Sequence, residues 1–169
     1  MTAAARRGVR WWTQSTPIGE IAVVSGPDGV ERITFDGAGF DPSEYPDARA
    51  SRDRAIATEL DRWFAGRRHV LTFPVVLPAD LTPFARTVLQ TLSARVPWGE
   101  TVSYGELAEL AGRPRAARGV GRIMAGNTVP FAVPCHRVIA AGGRIGGYGG
   151  GREAIATKRW LLRREGVSI

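Results

Sequence analysis

The sequence predicts a two-domain α/β protein, with a small sheet-and-helix domain over residues 1–78 followed by a mainly helical domain over residues 79–169. Three features predict it. Two β-branched runs flank a Gly-Pro-Asp-Gly turn near the start, apolar residues recur at helical spacing after residue 51 and again after residue 82, and the stretch between is broken by Pro74, Pro78 and Pro83. A chain of 169 residues, 44% of them hydrophobic, has material for one sizeable core or two small ones.

In chain order, residues 20–25 and 30–35 of "EIAVVSGPDGVERITFDG" read as the arms of a hairpin, with Pro-Asp-Gly as its turn. Residues 51–65, "SRDRAIATELDRWFA", place Ile56, Leu60, Trp63 and Phe64 at helical spacing behind Ser51 as the expected cap, and Gly66 closes the segment. "HVLTFPVVLPADLTP" alternates into one more strand before a boundary at residues 77–82. The second half reads as mostly helical until its final quarter. "TPFARTVLQTLSARV" opens on a Thr-Pro cap and aligns Phe84, Val88, Leu89, Leu92 and Val96. "SYGELAELAG", ending at Gly112, and "RPRAARGVGRIMAGN" form two short helices about a tight Gly-Arg-Pro turn, the layout of a helix-turn-helix.

Charge is divided unevenly. The chain carries a net +7; residues 1–80 hold 10 Arg against 11 acids, whereas residues 81–169 hold 13 Lys or Arg against 5 acids. General arginine enrichment and a surface for a polyanion both account for such totals. Position favours the second, because Arg115, Arg118 and Arg122 recur at intervals of 3 and 4 on the helix that would enter a groove, with Ala116, Val120 and Ile123 facing inward. Double-stranded DNA is therefore the expected partner.

One cysteine excludes an internal disulfide and a zinc site built of several thiolates, so the fold is expected to rest on packing in a reducing, cytoplasmic setting. No metal and no cofactor are expected. No run approaches the roughly 20 apolar residues that span a bilayer, and "MTAAARRGVRWW" lacks the apolar centre of a secretory signal.

That single thiol, Cys135, is followed directly by His136 and Arg137 in "AVPCHRVIAA". A thiolate is the nucleophilic form, and a neighbouring base or positive charge favours it. Adjacent residues of an extended segment point to opposite sides, so His136 reaches Cys135 only across an irregular backbone or through a water. A small buried cysteine beside a histidine is the plainer alternative.

The wider pattern decides between them. "TPFARTVLQTL", "PWGETVSYGELAELAG", "RAARGVG", "PCHRVI", "GYGGG" and "KRWLLRREG" occur in this order across residues 82–166 and resemble the O6-alkylguanine-DNA alkyltransferases, which repair DNA by direct reversal. The first 80 residues match more weakly, chiefly in "STPIGEIAVV". The resemblance implies an RNase-H-like N-terminal domain and a winged-helix-like C-terminal domain. It implies that an alkylated guanine is flipped out of the duplex and that its alkyl group passes irreversibly to Cys135, one turnover per molecule. O4-alkylthymine is a further substrate to test. Cys135 would be the acceptor, His136 the base through water, Glu165 the group that orients His136, and Asn127 a hinge from the recognition helix to the thiol segment. Tyr104 and Arg118 would act on DNA, the tyrosine crowding a phosphate and the arginine filling the vacated stack. Ser103, Ala117, Arg115 and Arg122 complete the expected DNA surface. Tyr104, Met124, Tyr148, Lys158, Ile145 and Gly149, with the loop from Ile145 to Gly150, would surround the base. A monomer in solution is expected, with clustering on DNA left open.

The sequence departs from the family at Thr128, where proline is usual, at Ala85 and Leu89, where glutamine and tryptophan are commoner, and by three extra residues between "GYGGG" and "KRWLL". Two other readings stand beside this one. An alkyltransferase-like protein would bind the lesion and flag it, but lacks the cysteine present here. A helix-turn-helix regulator needs neither "PCHRV" nor Glu165, and a preference for one operator over alkylated DNA would mark it.

Overall fold

The computed structural model describes residues 8–35, 37, 39–149 and 152–169. Gly150 of the expected base-binding loop and all of "MTAAARR" thus lie outside the described residues. The chain separates into two compact units, Met1–Pro78 and Ala79–Ile169.

In the first unit, β1 (Arg10–Thr16), β2 (Gly19–Gly26) and β3 (Gly29–Thr34) form an antiparallel meander, and β4 (Arg49–Ala50) runs parallel to β1, giving the order β3-β2-β1-β4. The turn between β2 and β3 needs glycine at its end: Gly29 has φ +133°, and a Cβ there would come within 2.3 Å of the Pro74 carbonyl oxygen. That close approach is used, because Val30 N–H donates to Pro74 O at 2.8 Å and Val76 N–H to Val30 O at 2.9 Å. The strand expected within residues 69–83 is otherwise absent: it shrinks to one isolated bridge, Val30 to Val75, between two prolines that cannot donate to a ladder.

Helix α1 (Arg54–Phe64) buries Ala57, Leu60, Trp63 and Phe64, with the two aromatic rings edge-on at 5.0 Å. Its cap is Asp53 rather than the expected Ser51. The Asp53 carboxylate accepts from Ala55 N–H at 3.1 Å and Ile56 N–H at 3.2 Å, whereas Ser51 lies short of the first turn and its own N–H donates to Trp11 O. Gly66, at φ +71°, ends the segment. Buried Gln14 joins β1 to α1, its amide donating to Ala57 O at 3.1 Å and to Asp61 Oδ1 at 2.6 Å.

In the second unit, Thr82 Oγ1 accepts from Ala85 N–H and Pro83 opens α2 (Pro83–Arg95), which buries Ala85, Val88, Leu89 and Leu92. Phe84 is not in that core; it is half-buried beneath the Arg113 guanidinium, 4.8 Å from its ring centre. Strand β5 (Val102–Ser103) leads into α3 (Tyr104–Leu110) through a capping box in which Ser103 Oγ accepts from Glu106 N–H and Glu106 accepts from Ser103 N–H. Helix α4 (Ala117–Ala125) follows, and β6 (Val138–Ile139) pairs parallel with β5.

Two expectations for this unit are corrected. Arg115 is not on the helix face of Arg118 and Arg122: it precedes the N-cap Ala116, with φ +76°, because Pro114 and the turn consume the residues that periodicity had assigned to the helix. Arg118 and Arg122 are exposed one turn apart on α4, Val120 is buried, and Ala116 and Ile123 are half-buried. The final quarter, read as no longer mostly helical, contains the 13-residue α5 (Arg152–Arg164), whose Lys158, Leu161 and Leu162 are buried. Glycines at 146–151 masked its start. Among the described residues, no helix is long and apolar enough to cross a membrane.

The α1 cap gives a direct test. Asp53→Ala should lower unfolding stability by about 1 kcal/mol and Ser51→Ala by much less, as read by urea denaturation; equal losses would return the cap to Ser51.

Candidate active site

The segment that presents the thiol is a short, tightly tied turn. Asn127 lies just beyond α4; its Oδ1 accepts from Val129 N–H at 3.1 Å and its Nδ2 donates to Val133 O at 2.9 Å, while Val133 N–H donates to Val129 O. At the tip, buried Phe131 holds φ +72°, a conformation costing a non-glycine residue about 1–2 kcal/mol that the surrounding bonds sustain. Cys135 N–H then donates to Val133 O, and Cys135–Arg137 wind into a 3-10 turn before β6. The thiol is therefore not in an extended segment, and its neighbours do not alternate across a strand. Cys135 Sγ lies 3.9 Å from the Tyr148 hydroxyl, while His136 and Arg137 both reach Glu165.

Glu165 directly follows α5, its backbone N–H still bonded to Leu161 O and Leu162 O. Its buried carboxylate accepts from His136 Nε2 at 2.7 Å, Arg137 Nε at 2.8 Å, Arg137 Nη2 at 3.0 Å and Gly99 N–H at 3.3 Å. Arg137 also donates through Nη1 to Val96 O at 2.7 Å, at the end of α2. Burial works against the charge on Glu165, but the hydrogen bonds from His136 and Arg137, with their charges, outweigh it and hold the carboxyl at about 2. His136 moves the other way: burial dominates, the bond and charge of Glu165 oppose it, and the imidazole is held below its ordinary value. Near neutral pH the pair is a carboxylate and a neutral imidazole. Nε2 must then carry the hydrogen, which leaves Nδ1 as the basic atom.

Around the sulfur, Lys158 is fully buried on α5, its ammonium donating to Val138 O at 2.7 Å and Gly147 O at 3.0 Å and lying 5.8 Å from the Tyr148 ring centre and 6.0 Å from that of Tyr104. Burial lowers its pKa to about 8. Tyr104 is half-buried at the start of α3, and its hydroxyl donates to Gly147 O at 3.3 Å. Cys135 is 6% exposed, and burial pushes its thiol up; hydrogen bonding with the Asn127 and Tyr148 side chains and the Lys158 charge pull in the opposite direction without cancelling the burial. The cation acting on the thiol is thus Lys158, and Arg137, to which adjacency gave that role, is spent on Glu165 and Val96. The signal for both was present: Lys158 and Glu165 are seven residues apart, two turns on one helix face.

The remaining candidates fall as follows. Met124 and Ile145 are half-buried, and Gly149 has φ +48°, where a Cβ would meet Ala154 Cβ at 3.2 Å. Ser103 serves the capping box, Ala117 opens α4, and Arg115, Arg118 and Arg122 are exposed. The structure brings Cys135, Tyr148, Lys158, Tyr104 and Asn127 around the sulfur, with His136 and Arg137 behind it on Glu165. Among the described residues, no group of three or more His, Cys, Asp or Glu side chains is arranged to hold a metal ion.

The chain's similarities agree with this chemistry. A family model described as the 6-O-methylguanine DNA methyltransferase, DNA binding domain, matches residues 83–167. A methylated-DNA--protein-cysteine methyltransferase of Homo sapiens is 36% identical over 168 residues, spanning 91% of this chain and 79% of that one. One from Methanosarcina acetivorans is 35% identical over 154 residues, spanning 89% and 94%. Among solved structures, the O6-methylguanine methyltransferase of Mycobacterium tuberculosis superposes with a TM-score of 0.80 at 34% identity over 93% of this chain and 92% of that one. The OGT of the same organism in complex with DNA gives 0.82 at 32% identity over 94% and 93%. By extent of match and by identity along nearly its whole length, the chain belongs to the methylated-DNA--protein-cysteine methyltransferase family.

Proposed function

We propose that this chain repairs alkylated DNA by binding the duplex, extruding an O6-alkylated guanine and taking the alkyl group onto Cys135. The observation that carries this reading is the chain's only cysteine, sited within the matched residues 83–167 and beside a buried His136–Glu165–Arg137 cluster.

The resting thiol is protonated, because burial pushes it up, so a base must take its proton as the reaction proceeds. Neutral His136, fixed by Glu165, serves as that base through a water. The sulfur lone pair then attacks the alkyl carbon in line, the carbon–O6 bond breaks, and its electron pair stays on O6. The leaving guanine takes up a proton, so the proton lost by sulfur is balanced and the base is neutral. The thioether formed has no acidic proton and is not readily hydrolysed, so each molecule acts once. Methyl transfer is the family reaction, and O4-alkylthymine remains a substrate to test.

On the DNA side, Arg118 and Arg122 on α4, with Arg115 before it, would face the phosphates, and Arg118 would fill the stack vacated by the guanine. Tyr104 would crowd a phosphate, with Ser103 and Ala117 beside it. Met124, Ile145, Tyr148, Gly149 and Lys158 would surround the extruded base, and Asn127 would couple α4 to the thiol turn through its two backbone bonds. The finer fold belongs to the same reading. An RNase-H-like frame is supported by the β3-β2-β1-β4 sheet with α1, and a winged-helix type by α3 and α4 with the β5–β6 pair. The division at residues 78 and 79 as two domains is supported by the two compact units. We further propose a cytoplasmic setting, which the single cysteine supports, and a monomer in solution.

Intact mass after mixing with a duplex containing O6-methylguanine tests the assignment. Wild type should gain one methyl group on Cys135, and no gain under excess substrate would overturn it. Cys135→Ser should bind the lesion without transfer. His136→Ala and Glu165→Ala should each slow transfer by about 10² or more with duplex binding little changed; wild-type rates for Glu165→Ala would remove Glu165 from the mechanism.

Duplex binding should be indifferent to sequence and weaken with salt, with a log-log slope near −0.9 per phosphate contacted. Arg118→Ala should markedly slow repair in duplex DNA yet leave reaction with free O6-benzylguanine nearly intact, because that substrate needs no flipping. Equal losses on both would place Arg118 in the fold or the chemistry, and no loss on either would make it a solvated side chain.

A further inference from the structure

We infer that Tyr148 is a further catalytic residue, its phenolic hydroxyl turning to donate a hydrogen bond to the Cys135 sulfur once the thiol has lost its proton. This rests on Cys135 being the alkyl acceptor. The two groups lie 3.9 Å apart, within hydrogen-bond range for sulfur. In the resting state the S–H donates to the phenol oxygen; when the sulfur is an anion, only the phenol can donate. The hydroxyl rotates to do so without moving a heavy atom.

The position of that hydroxyl is built rather than incidental. Gly147, the residue before Tyr148, has its carbonyl fixed by two donors, Tyr104 Oη at 3.3 Å and Lys158 Nζ at 3.0 Å. Gly146 adopts φ +70°, where a Cβ would lie 3.1 Å from Ala140 N and 3.3 Å from the Tyr104 ring, so the backbone packs there with no room to slide. On the other side, Gly149 has φ +48°, and a Cβ there would lie 3.2 Å from Ala154 Cβ. The residue before Tyr148 is thereby held by two side chains, with the Tyr148 hydroxyl beside the sulfur.

The chemistry favours the reacting state. Burial above all, with the neighbouring sulfur charge, holds Tyr148 as a phenol well beyond its ordinary range, so it remains a donor wherever the protein works. A charge-assisted hydrogen bond to a thiolate is stronger than one to a thiol or a thioether. The bond therefore strengthens as the proton leaves and fades as the carbon–sulfur bond forms. An interaction that is strongest between reactant and product lowers the barrier. The other groups acting on the sulfur are Lys158 from α5, Tyr104 from α3 and the Asn127 amide, with His136 next in the chain; none is altered by removing the Tyr148 hydroxyl.

Tyr148→Phe in the full chain deletes that oxygen and little else. Because Cys135 is the only cysteine, the pH dependence of iodoacetamide alkylation reads its ionisation alone. The midpoint should rise by about one pH unit, the tenfold change that a hydrogen bond to a charged group contributes. Transfer from O6-benzylguanine should fall near neutral pH, and the deficit should reverse at alkaline pH, because a thiolate relieved of its hydrogen bond is the better nucleophile. An unmoved midpoint with one constant rate ratio at every pH would reduce Tyr148 to a wall of the pocket. If circular dichroism shows the variant unfolded, 3-fluorotyrosine at position 148 alone serves instead: its stronger donor should lower the midpoint, and an unmoved midpoint overturns the inference. Wild-type methyl gain on Cys135 separates the two readings, since its failure removes the acceptor and its success with an unmoved midpoint removes only Tyr148.

Discussion

The buried carboxylate of Glu165 is the constraint on which the C-terminal unit is organised. A carboxylate without partners in that position would cost several kcal/mol, and a broken buried pair typically costs about 3–5 kcal/mol. Here four donors meet it: one from His136, two from Arg137 and one from the Gly99 backbone. Those donors come from the thiol turn and from the segment after α2, and the carboxylate itself hangs from the end of α5. Arg137 extends the knot to Val96 O. Three stretches of chain far apart in sequence are thus fixed by one charge, and the thiol turn is one of them. The sign of the coupling follows from the lowered Glu165: its stability is present above the unfolded value near 4.5 and is lost as pH falls toward about 2.

The same knot bears on how the buried thiol would act in the proposed reaction. Burial keeps Cys135 protonated at rest. Activation has to come from groups arranged in advance. Burial holds His136 neutral against the pull of Glu165, the hydrogen bond to Glu165 orients the ring so that in the proposed reaction it would accept the proton, and Lys158, with its ammonium on two backbone carbonyls, supplies positive charge to the sulfur side. Lys158 lies on α5 and Glu165 directly follows it, so one helix and its end serve both sides of the thiol turn. Helix α4 joins them through Asn127, whose amide spans Val129 and Val133.

What could be read in the chain divides along the range of the interactions. Local signals were legible: the Thr82-Pro83 start of α2, the hairpin around Pro27-Asp28, and the glycine stop at Gly66 each depend on a few neighbouring residues. Competing caps two residues apart were not, and Asp53 prevailed over Ser51 because only its carboxylate reaches the first free amides. Periodicity overran the start of α4 and made Arg115 helical, and a glycine-rich approach hid α5. At the site, "PCHRV" pointed to Cys135 and His136 by adjacency, but adjacency misassigned Arg137. Its true partner is 28 residues away, and a contact of that kind emerges only when α5 packs.

The most direct test of the account is the ¹⁵N NMR spectrum of the imidazole of His136, resolved from exposed His69, followed through the neutral pH range. The arrangement around Glu165 predicts a neutral ring with its hydrogen on Nε2 and Nδ1 basic, gaining a second proton only below the ordinary histidine value. A doubly protonated ring near neutral pH, or a neutral ring with its hydrogen on Nδ1, would contradict it.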